Sequence, residues 1–418
     1  MKEITNDMLA QFRASYDADG QAQVLHSALA KTDMAELAYV PGAGARLKGA
    51  FSVEVKTRGI TAQQKSGRCW LFAALNILRE KVAETCHLDQ FELSQNYLSF
   101  YDKLEKANNF LEMVIENAQE PIKGQLMQYV LRGMTDGGYW SEAVDLIEKY
   151  GVVPKQVQPE TYQSNHTDRF VATLNRLLRK DAMELRELVQ AGKDPYPRKA
   201  AMMAEVYKAA CIAFGQPVQI FDFSYRDKDN NYHEERDLTP LDFYQKYVGL
   251  SLRDYVAVIN EPTADKPLDT PIQFHAVENM TGCDMKALNL SQDAMEALCI
   301  KQLKNGQAIW FACDAGAFGA RKKVSGIQIA SSMKPFWAAF RRLCPKASAW
   351  NITAVRRPTP CFSQASILTG TASRTAGKSK IPGAKMSATR AISSAPKRIS
   401  RNLSMKLSST AVISVRNN

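Results

Sequence analysis

All the acidic residues of this 418-residue chain lie before position 324. From Val324 onward the sequence has 7 Lys and 9 Arg but no Asp or Glu, whereas residues 1–323 have 38 basic and 43 acidic residues, a formal net charge of −5. Residues 324–418 are rich in Ser, Thr, Ala, Arg and Pro and keep no apolar period of 3.6 or 2 residues, which is typical of disorder. We therefore expect the folded protein in residues 1–323, followed by a basic, disordered tail.

Composition and cysteine spacing narrow the class of protein. With 45% hydrophobic and 23% charged residues, the chain is typical of soluble globular proteins. It has no apolar run of membrane-spanning length and no signal-peptide pattern at its start, so we expect a cytoplasmic protein with no membrane partner. Its eight cysteines form no CxxC pair and have no histidine at metal-ligand spacing. Neither a disulfide framework nor a zinc site is therefore predicted.

Helical periodicity dominates the first half of the chain. Apolar residues recur at helical spacing from Trp70 to Val82, which predicts a mostly buried helix. The stretch SEAVDLIEKYG predicts another helix, with Ser141 as its N-cap and Gly151 as its C-terminal stop. Residues 168–213 are also predicted to be helical.

Strand patterns begin at Gln216. The stretch PVQIFDFSYRDKDNNYHEE predicts two alternating strands joined by an Asp/Asn turn, and YVAVINEP and AIWFACD predict further strands. A helical part followed by a strand-containing part favours an α+β protein with segregated halves. We therefore divide the chain into an N-terminal arm and connector (1–60), a helical lobe (61–215), a partial strand-containing lobe (216–323) and the tail (324–418).

Cys69 lies where a glycine-bearing loop meets the first buried helix. The N-terminus of a helix favours negative charge, so a thiolate is stabilised there. Gln63 lies six residues earlier on the loop, where its side-chain amide could help to stabilise the oxyanion of a tetrahedral intermediate. These residues alone leave two interpretations open, a nucleophile or a small buried side chain, and the second is the more common one for a single cysteine.

Longer motifs decide between them. The stretches FSVEVKTRGITAQQKSGRCWLFAALN, FELSQNYLSFYDKLEKANNFLE, DGGYW and IEKYGVVPKQVQPETY resemble the aminopeptidase C / bleomycin hydrolase family of papain-like cysteine peptidases. The resemblance extends to about Lys323. Ala62 stands where the family typically has Asn, and Tyr139 where it often has Gln, a difference that affects the expected substrate cleft.

The resemblance implies a papain-like α+β fold with a helical and a strand-rich lobe. It further implies that Cys69 is the nucleophile, that Gln63 is an oxyanion donor, and that Asp136, Gly137 and Gly138 lie along the cleft. A glycine pair lets a peptide backbone approach closely, although it is equally consistent with a plain turn before the next helix.

The implied activity is removal of N-terminal residues from peptide substrates through a Cys acyl-enzyme, with no cofactor. Members of the family form hexameric barrels. We do not expect that assembly for this chain, because it depends on the C-terminal part of the family's sequence, and the resemblance ends at about Lys323.

The catalytic base is missing from the sequence. The family takes its histidine and the asparagine that orients it from THAM-like and ENSWG-like motifs in the C-terminal part. The last histidine here is His275, in PIQFHAVENM, which does not match the family motif. We interpret His275 as a surface or cleft-lining residue, and we predict little or no peptidase activity for the chain as translated.

A shifted reading frame accounts for this loss. If each original codon combined the third base of one present codon with the first two of the next, RRPTPC would admit ATHAM, with the histidine spelled across Pro358 and Thr359. In the same frame GKSKIPGA admits KIENSWG, with the asparagine across Lys380 and Ile381. We infer a frameshift close to Lys323, either in the gene or in its reading.

Two alternatives from other functional classes remain. The chain could be a non-catalytic peptide-binding protein that keeps the cleft. It could also be a nucleic-acid binder that acts through a natural basic tail, since its formal charge is +11. Nucleic acid is the less favoured partner, because the charge excess is confined to the tail. For the frameshifted chain as translated, loss of the expected downstream strands predicts exposed apolar surface on the second lobe and poor solubility.

Overall fold

The structure is a computed structural model. It describes residues 3–37, 53, 55, 57–59, 61–261, 263–274, 280–313, 366–368 and 409–414. His275 and the four tail positions at which the shifted frame spells histidine and asparagine lie outside the described residues. Within the described part, no helix is long and apolar enough to cross a membrane.

The helical lobe is built around α4 (Cys69–Thr85), which is enclosed on nearly all sides. Trp70, Leu78 and Val82 of this helix are fully buried, as the apolar spacing predicts. Beside it lies α5 (Gln95–Glu116), which begins after Ser94; the Ser94 side chain accepts a hydrogen bond from the Tyr97 N–H. That bond pairs one of the N–H groups that the first turn of a helix leaves unsatisfied.

The other helices lie before, between and after these two. They are α1 (Asn6–Asp17), α2 (Gly20–Leu29), α3 (Met34–Leu37), α6 (Gln125–Val130), α7 (Trp140–Tyr150), α8 (Tyr162–Asn165), α9 (Asp168–Gln190), α10 (Tyr196–Phe214), α11 (Pro240–Phe243) and α12 (Gln292–Lys304), with a π-helical turn at Tyr244–Val248 and a 3₁₀ turn at Leu252–Asp254.

Two helix boundaries differ from the predicted ones. Helix α7 begins at Trp140, and Ser141 is not its N-cap, because the Glu142 carboxylate accepts the Tyr139 N–H (3.2 Å) and so starts the helix earlier. Its predicted end is confirmed: Gly151 adopts a φ of +73°, which favours glycine. The predicted helical region 168–213 is two helices, separated by a turn at Gly192.

Strands follow the helical lobe as predicted. Strands β1 (Phe221–Arg226) and β2 (Tyr232–Leu238) form an antiparallel hairpin. Its turn is held by Asp227, whose carboxylate accepts the N–H groups of Asp229 and Asn231, both at 2.9 Å. This is the Asp/Asn turn that the sequence predicts.

A six-stranded sheet forms the core of the second lobe. Its strands are β3 (Tyr255–Ile259), β4 (Thr270–Phe274), β5 (Met285–Asn289), β6 (Ile309–Cys313), β7 (Ser366–Leu368) and β8 (Ser409–Ser414). The strand order is β4-β5-β3-β8-β6-β7; β3 and β5 run parallel, and every other neighbouring pair is antiparallel.

The last two strands belong to the basic tail. The composition of the tail predicts disorder after residue 323, yet β8 lies between β3 and β6, and Val412 is opposite both Ala257 and Trp310. The segment STAVIS includes Thr, Val and Ile, whose branched side chains favour strands. The overall composition of the tail does not show this local strand propensity.

Side-chain bonds join the two lobes. The buried Trp310 of β6 donates its indole N–H to the Trp70 carbonyl oxygen in α4 (2.9 Å). Arg253, just before β3, donates to the carboxylates of Asp145 and Glu148 in α7, both at 2.7 Å. The strand-containing lobe is therefore attached directly to the helix that begins with Cys69.

We expect Val412→Pro to destabilise the protein. In a strand with neighbours on both sides every N–H faces a partner, and proline removes one N–H from the ladder. Thermal unfolding should show a lower Tm for Val412→Pro than for Arg416→Pro, which lies beyond the end of β8. Equal Tm values for the two variants would mean that β8 does not contribute to the sheet.

Asp181 is a second site where stability can be changed. It lies on α9 and is 1% exposed, and neither of its carboxyl oxygens has a hydrogen-bond partner among the described residues. Burial raises the pKa of this carboxyl. Because an unpaired buried polar group costs about 1–3 kcal/mol, Asp181→Leu should raise the free energy of unfolding by about that amount at pH 7.

The sign of the pH dependence follows from the raised pKa. Native Asp181 resists ionisation, so the wild type loses stability as pH rises above the unfolded-state pKa of about 4. The advantage of Asp181→Leu should therefore shrink on acidification toward that value, as followed by urea unfolding at several pH values. Glu187→Leu, an exposed position on the same helix, is the matched control and should change stability by less than about 0.5 kcal/mol.

Candidate active site

Cys69 is the first residue of α4 and is 5% exposed. Arg68 occupies the N-cap position of this helix and makes no side-chain cap hydrogen bond to it. The helix is 17 residues long, so its dipole favours negative charge at the position of Cys69. The local fold therefore provides the electrostatic setting that the sequence predicts for a reactive thiol.

The loop before Cys69 is held by its own hydrogen bonds. The Ser66 hydroxyl donates to the Gln63 carbonyl oxygen (2.7 Å) and accepts from Arg68 Nε (3.0 Å). Gln64 adopts a φ of +53°, a left-handed conformation that is uncommon outside glycine. Gln63 is half-buried, and its Oε1 atom is enclosed with no hydrogen-bond partner in the described part of the chain. The tight turn thus fixes the backbone that carries the predicted oxyanion donor.

Arg68 anchors the end of this loop from inside the lobe. Its guanidinium is buried, lies over the Phe72 ring (5.2 Å to the centroid) and pairs with Glu160 (2.9 Å). Burial alone would raise the pKa of Glu160, but the charge and hydrogen bond of Arg68 lower it below the ordinary range. The pair is therefore ionised at neutral pH and holds the start of α4 against the segment around Glu160.

Asp136 is buried against the same loop. Its Oδ2 atom accepts the Gly67 N–H (2.8 Å) and the Thr167 hydroxyl, and its Oδ1 atom pairs with Lys103 Nζ (2.7 Å). Its carbonyl oxygen accepts the indole N–H of Trp70 (2.8 Å). The side chain that was predicted to lie along the cleft thus makes its described contacts within the protein.

Two buried lysines of α5 complete this cluster. Lys103 also pairs with Asp102 (2.5 Å), and Lys106 pairs with Asp102 (2.9 Å). Lys106 further donates to the carbonyl oxygens of Thr135 (3.3 Å) and Gly137. Two cations and two carboxylates therefore offset each other in the interior, behind the loop that leads to Cys69.

Gly137 and Gly138 are both buried. A Cβ atom on Gly138 would lie 2.6 Å from the Trp70 ring and 2.4 Å from Glu142 Oε2. Glycine is therefore required at 138 by close packing on Trp70, the residue next to Cys69. Their predicted contact with a substrate backbone stays a prediction.

Several residues of this site carried no clear signal in the sequence. Lys103, Lys106 and Asp102 lie on a helix that is buried on most sides, whereas periodicity assigns charged residues to the solvent face. Arg68 and Glu160 are 92 positions apart, so their pairing depends on the fold. Among the described residues, no group of three or more His, Cys, Asp and Glu side chains could hold a metal ion.

Comparison with known proteins identifies the family. A family model described as "Peptidase C1-like family" matches residues 3–332, well over half of the chain. The chain belongs to this family of papain-like cysteine peptidases. The match ends close to the position where acidic residues cease, and the predicted resemblance is confirmed.

Peptidases of this family are similar to the chain over most of its length. Aminopeptidase C of Listeria innocua is 41% identical over 321 residues, covering 76% of this chain and 73% of the relative. Aminopeptidase C of Streptococcus thermophilus is 37% identical over 328 residues, covering 77% and 74%. These relatives, together with the family, show that the chain is of peptidase type.

A solved structure confirms the fold. PepW from Lactobacillus rhamnosis superposes with a TM-score of 0.86 at 34% identity, covering 99% of this chain and 92% of that one. The predicted α+β papain-like architecture is therefore correct for this member of the Peptidase C1-like family.

The packing of Gly138 on Trp70 can be tested directly. We expect Gly138→Ala to lower the free energy of unfolding by about 1–3 kcal/mol, because the new methyl group overlaps the indole ring. Gly20→Ala is the matched control, since a Cβ there meets nothing within 4 Å. Urea unfolding of both variants checks this; a Gly138→Ala value as small as that of Gly20→Ala would contradict it.

Proposed function

We propose that this chain is a thiol aminopeptidase in which Cys69 is the nucleophile and Gln63 helps to hold the oxyanion. The observation that carries the proposal is the position of Cys69 in the first turn of a buried 17-residue helix, preceded by a loop that is held by hydrogen bonds at Ser66 and Gly67. The names of the similar aminopeptidases support the substrate class, peptides with a free N-terminus.

The proposed chemistry is acyl transfer. The Cys69 thiolate attacks the carbonyl carbon of the first peptide bond and forms a C–S bond, while Gln63 and backbone N–H groups stabilise the oxyanion. The C–N bond then breaks, the leaving amine takes a proton from the general acid, and water hydrolyses the thioester. A histidine must accept the thiol proton and return it to the amine.

We further propose that this translated chain cannot complete that cycle. Its five histidines are His26, His87, His166, His233 and His275. His166 stacks on Tyr162 and bonds to the Tyr162 carbonyl oxygen (3.0 Å), and His233 bonds to Asp227 (3.0 Å). His275 does not match the motif of the family histidine. In this proposal the original reading frame encodes the missing histidine, and the shift after about Lys323 removes it from the translated chain.

The experiment compares two proteins, this chain and a restored-frame version with one base added or removed in the codons for Arg321 to Gly326. We expect the restored protein to cleave a peptide with a free N-terminus but not its acetylated form. This chain should be slower by on the order of 10⁴-fold or more, because the base and its orienting group are absent. Equal activity of the two proteins would contradict the assignment.

Variants of the restored protein test the two named residues. Cys69→Ser should abolish cleavage, and Gln63→Ala should reduce kcat by about 10²–10³-fold while leaving KM largely unchanged, because an oxyanion donor acts mainly in the transition state. Gln64→Ala, at the neighbouring exposed position, is the control for disturbance of the loop. A Gln63→Ala effect confined to KM would assign Gln63 to substrate binding instead.

A further inference from the structure

Asp136 contacts the chain on both sides of Cys69. Its carboxylate accepts the N–H of Gly67, two residues before the cysteine, and its carbonyl oxygen accepts the indole N–H of Trp70, the residue after it. Both distances are 2.8 Å. One residue therefore holds the backbone of the loop and the first turn of α4 in a fixed relation.

The sequence of the loop is adapted to this contact. A Cβ atom on Gly67 would lie 2.7 Å from the Asp136 Cβ atom, closer than side chains can pack. Because that space is already filled by the Asp136 side chain, the loop comes this close only with glycine at 67. The Gly67 N–H can then reach the carboxylate.

Charge keeps the Asp136 carboxylate ionised in the interior. Burial alone would raise its pKa, but the adjacent Lys103 ammonium, the Thr167 hydroxyl and the Gly67 N–H together lower the pKa well below the ordinary range. A buried ion pair often adds little net stability compared with apolar packing, and its effect can be to favour one conformation over others. Here the specified conformation is that of the loop before Cys69.

We propose that Asp136, with Lys103 as its counter-charge, is a positioning residue that fixes the loop before Cys69, and that it does not contact the substrate. This inference rests on the proposed role of Cys69, since the loop matters for catalysis only if that thiol is the nucleophile. Asp136 acts through the Gly67 N–H, which sets how often the loop opens and exposes the thiol.

The test measures modification of Cys69 in the folded chain. A thiol that is 5% exposed reacts with a maleimide mainly through local opening, so its rate reports how firmly the loop is held. The rate is read by mass spectrometry on the tryptic peptide CWLFAALNILR, in which Cys69 is the one cysteine. We expect Asp136→Ala to raise this rate about tenfold. Lys103 keeps Asp102 as a partner in this variant.

Two comparisons separate positioning from a general structural role. Asp136→Asn retains an oxygen that can accept the Gly67 N–H but loses the charge that pairs with Lys103, so it should recover most of the effect, to a rate within about threefold of the wild type. Asp145→Ala removes another buried carboxylate, which pairs with Arg253, and should stay within twofold of the wild type. A rate within twofold for Asp136→Ala, or an equal rise for Asp145→Ala, would overturn the proposal.

If Asp136→Ala does not fold, Gly67→Ala serves in its place. The added methyl group displaces the loop from the same carboxylate and should also raise the rate about tenfold, and an unchanged rate would overturn the proposal. The measurement needs no histidine and no turnover. Failure of the restored-frame protein to cleave peptides would refute the proposed function, whereas an unchanged thiol rate would refute only the role of Asp136.

Discussion

The bond from the Gly67 N–H to the Asp136 carboxylate is the contact on which the candidate site depends. It joins the loop before Cys69 to a cluster of two lysines and two carboxylates inside the helical lobe. A loop residue in bulk solvent would change conformation freely. An ionised, buried carboxylate is satisfied by few arrangements, so it permits only a narrow range of loop positions.

Two tryptophans connect this hydrogen-bonded cluster to the second lobe. Trp70 donates to the Asp136 carbonyl oxygen and accepts the indole N–H of Trp310 at its own carbonyl oxygen. Because both indole rings are buried, each N–H needs a partner, and each finds one at a position that fixes an element of the site. The first turn of α4 is therefore held by the Asp136 backbone on one side and by strand β6 on the other.

Local signals in the sequence were sufficient for several elements and for the position of Cys69 at the start of a buried helix. The helix after Cys69, the hairpin with its Asp/Asn turn and the end of α7 at Gly151 each depend on neighbours a few residues away, and each was predictable. The anchors of the site were not. Asp136 reaches a loop 69 positions earlier. The family resemblance placed it along the cleft, and a side chain beside a glycine pair carries no sign in the sequence of the direction in which it points.

The tail illustrates the difference between forming a strand and forming a catalytic site. Strand β8 pairs with β3 and β6 through backbone groups, which every residue except proline can offer, so a segment with branched side chains is enough. A general base requires one particular side chain at one position, with a second side chain to orient it. Under the proposed function, a C-terminal part read in a shifted frame can therefore complete a sheet while leaving Cys69 without a base, because backbone pairing tolerates such a change and the chemistry does not.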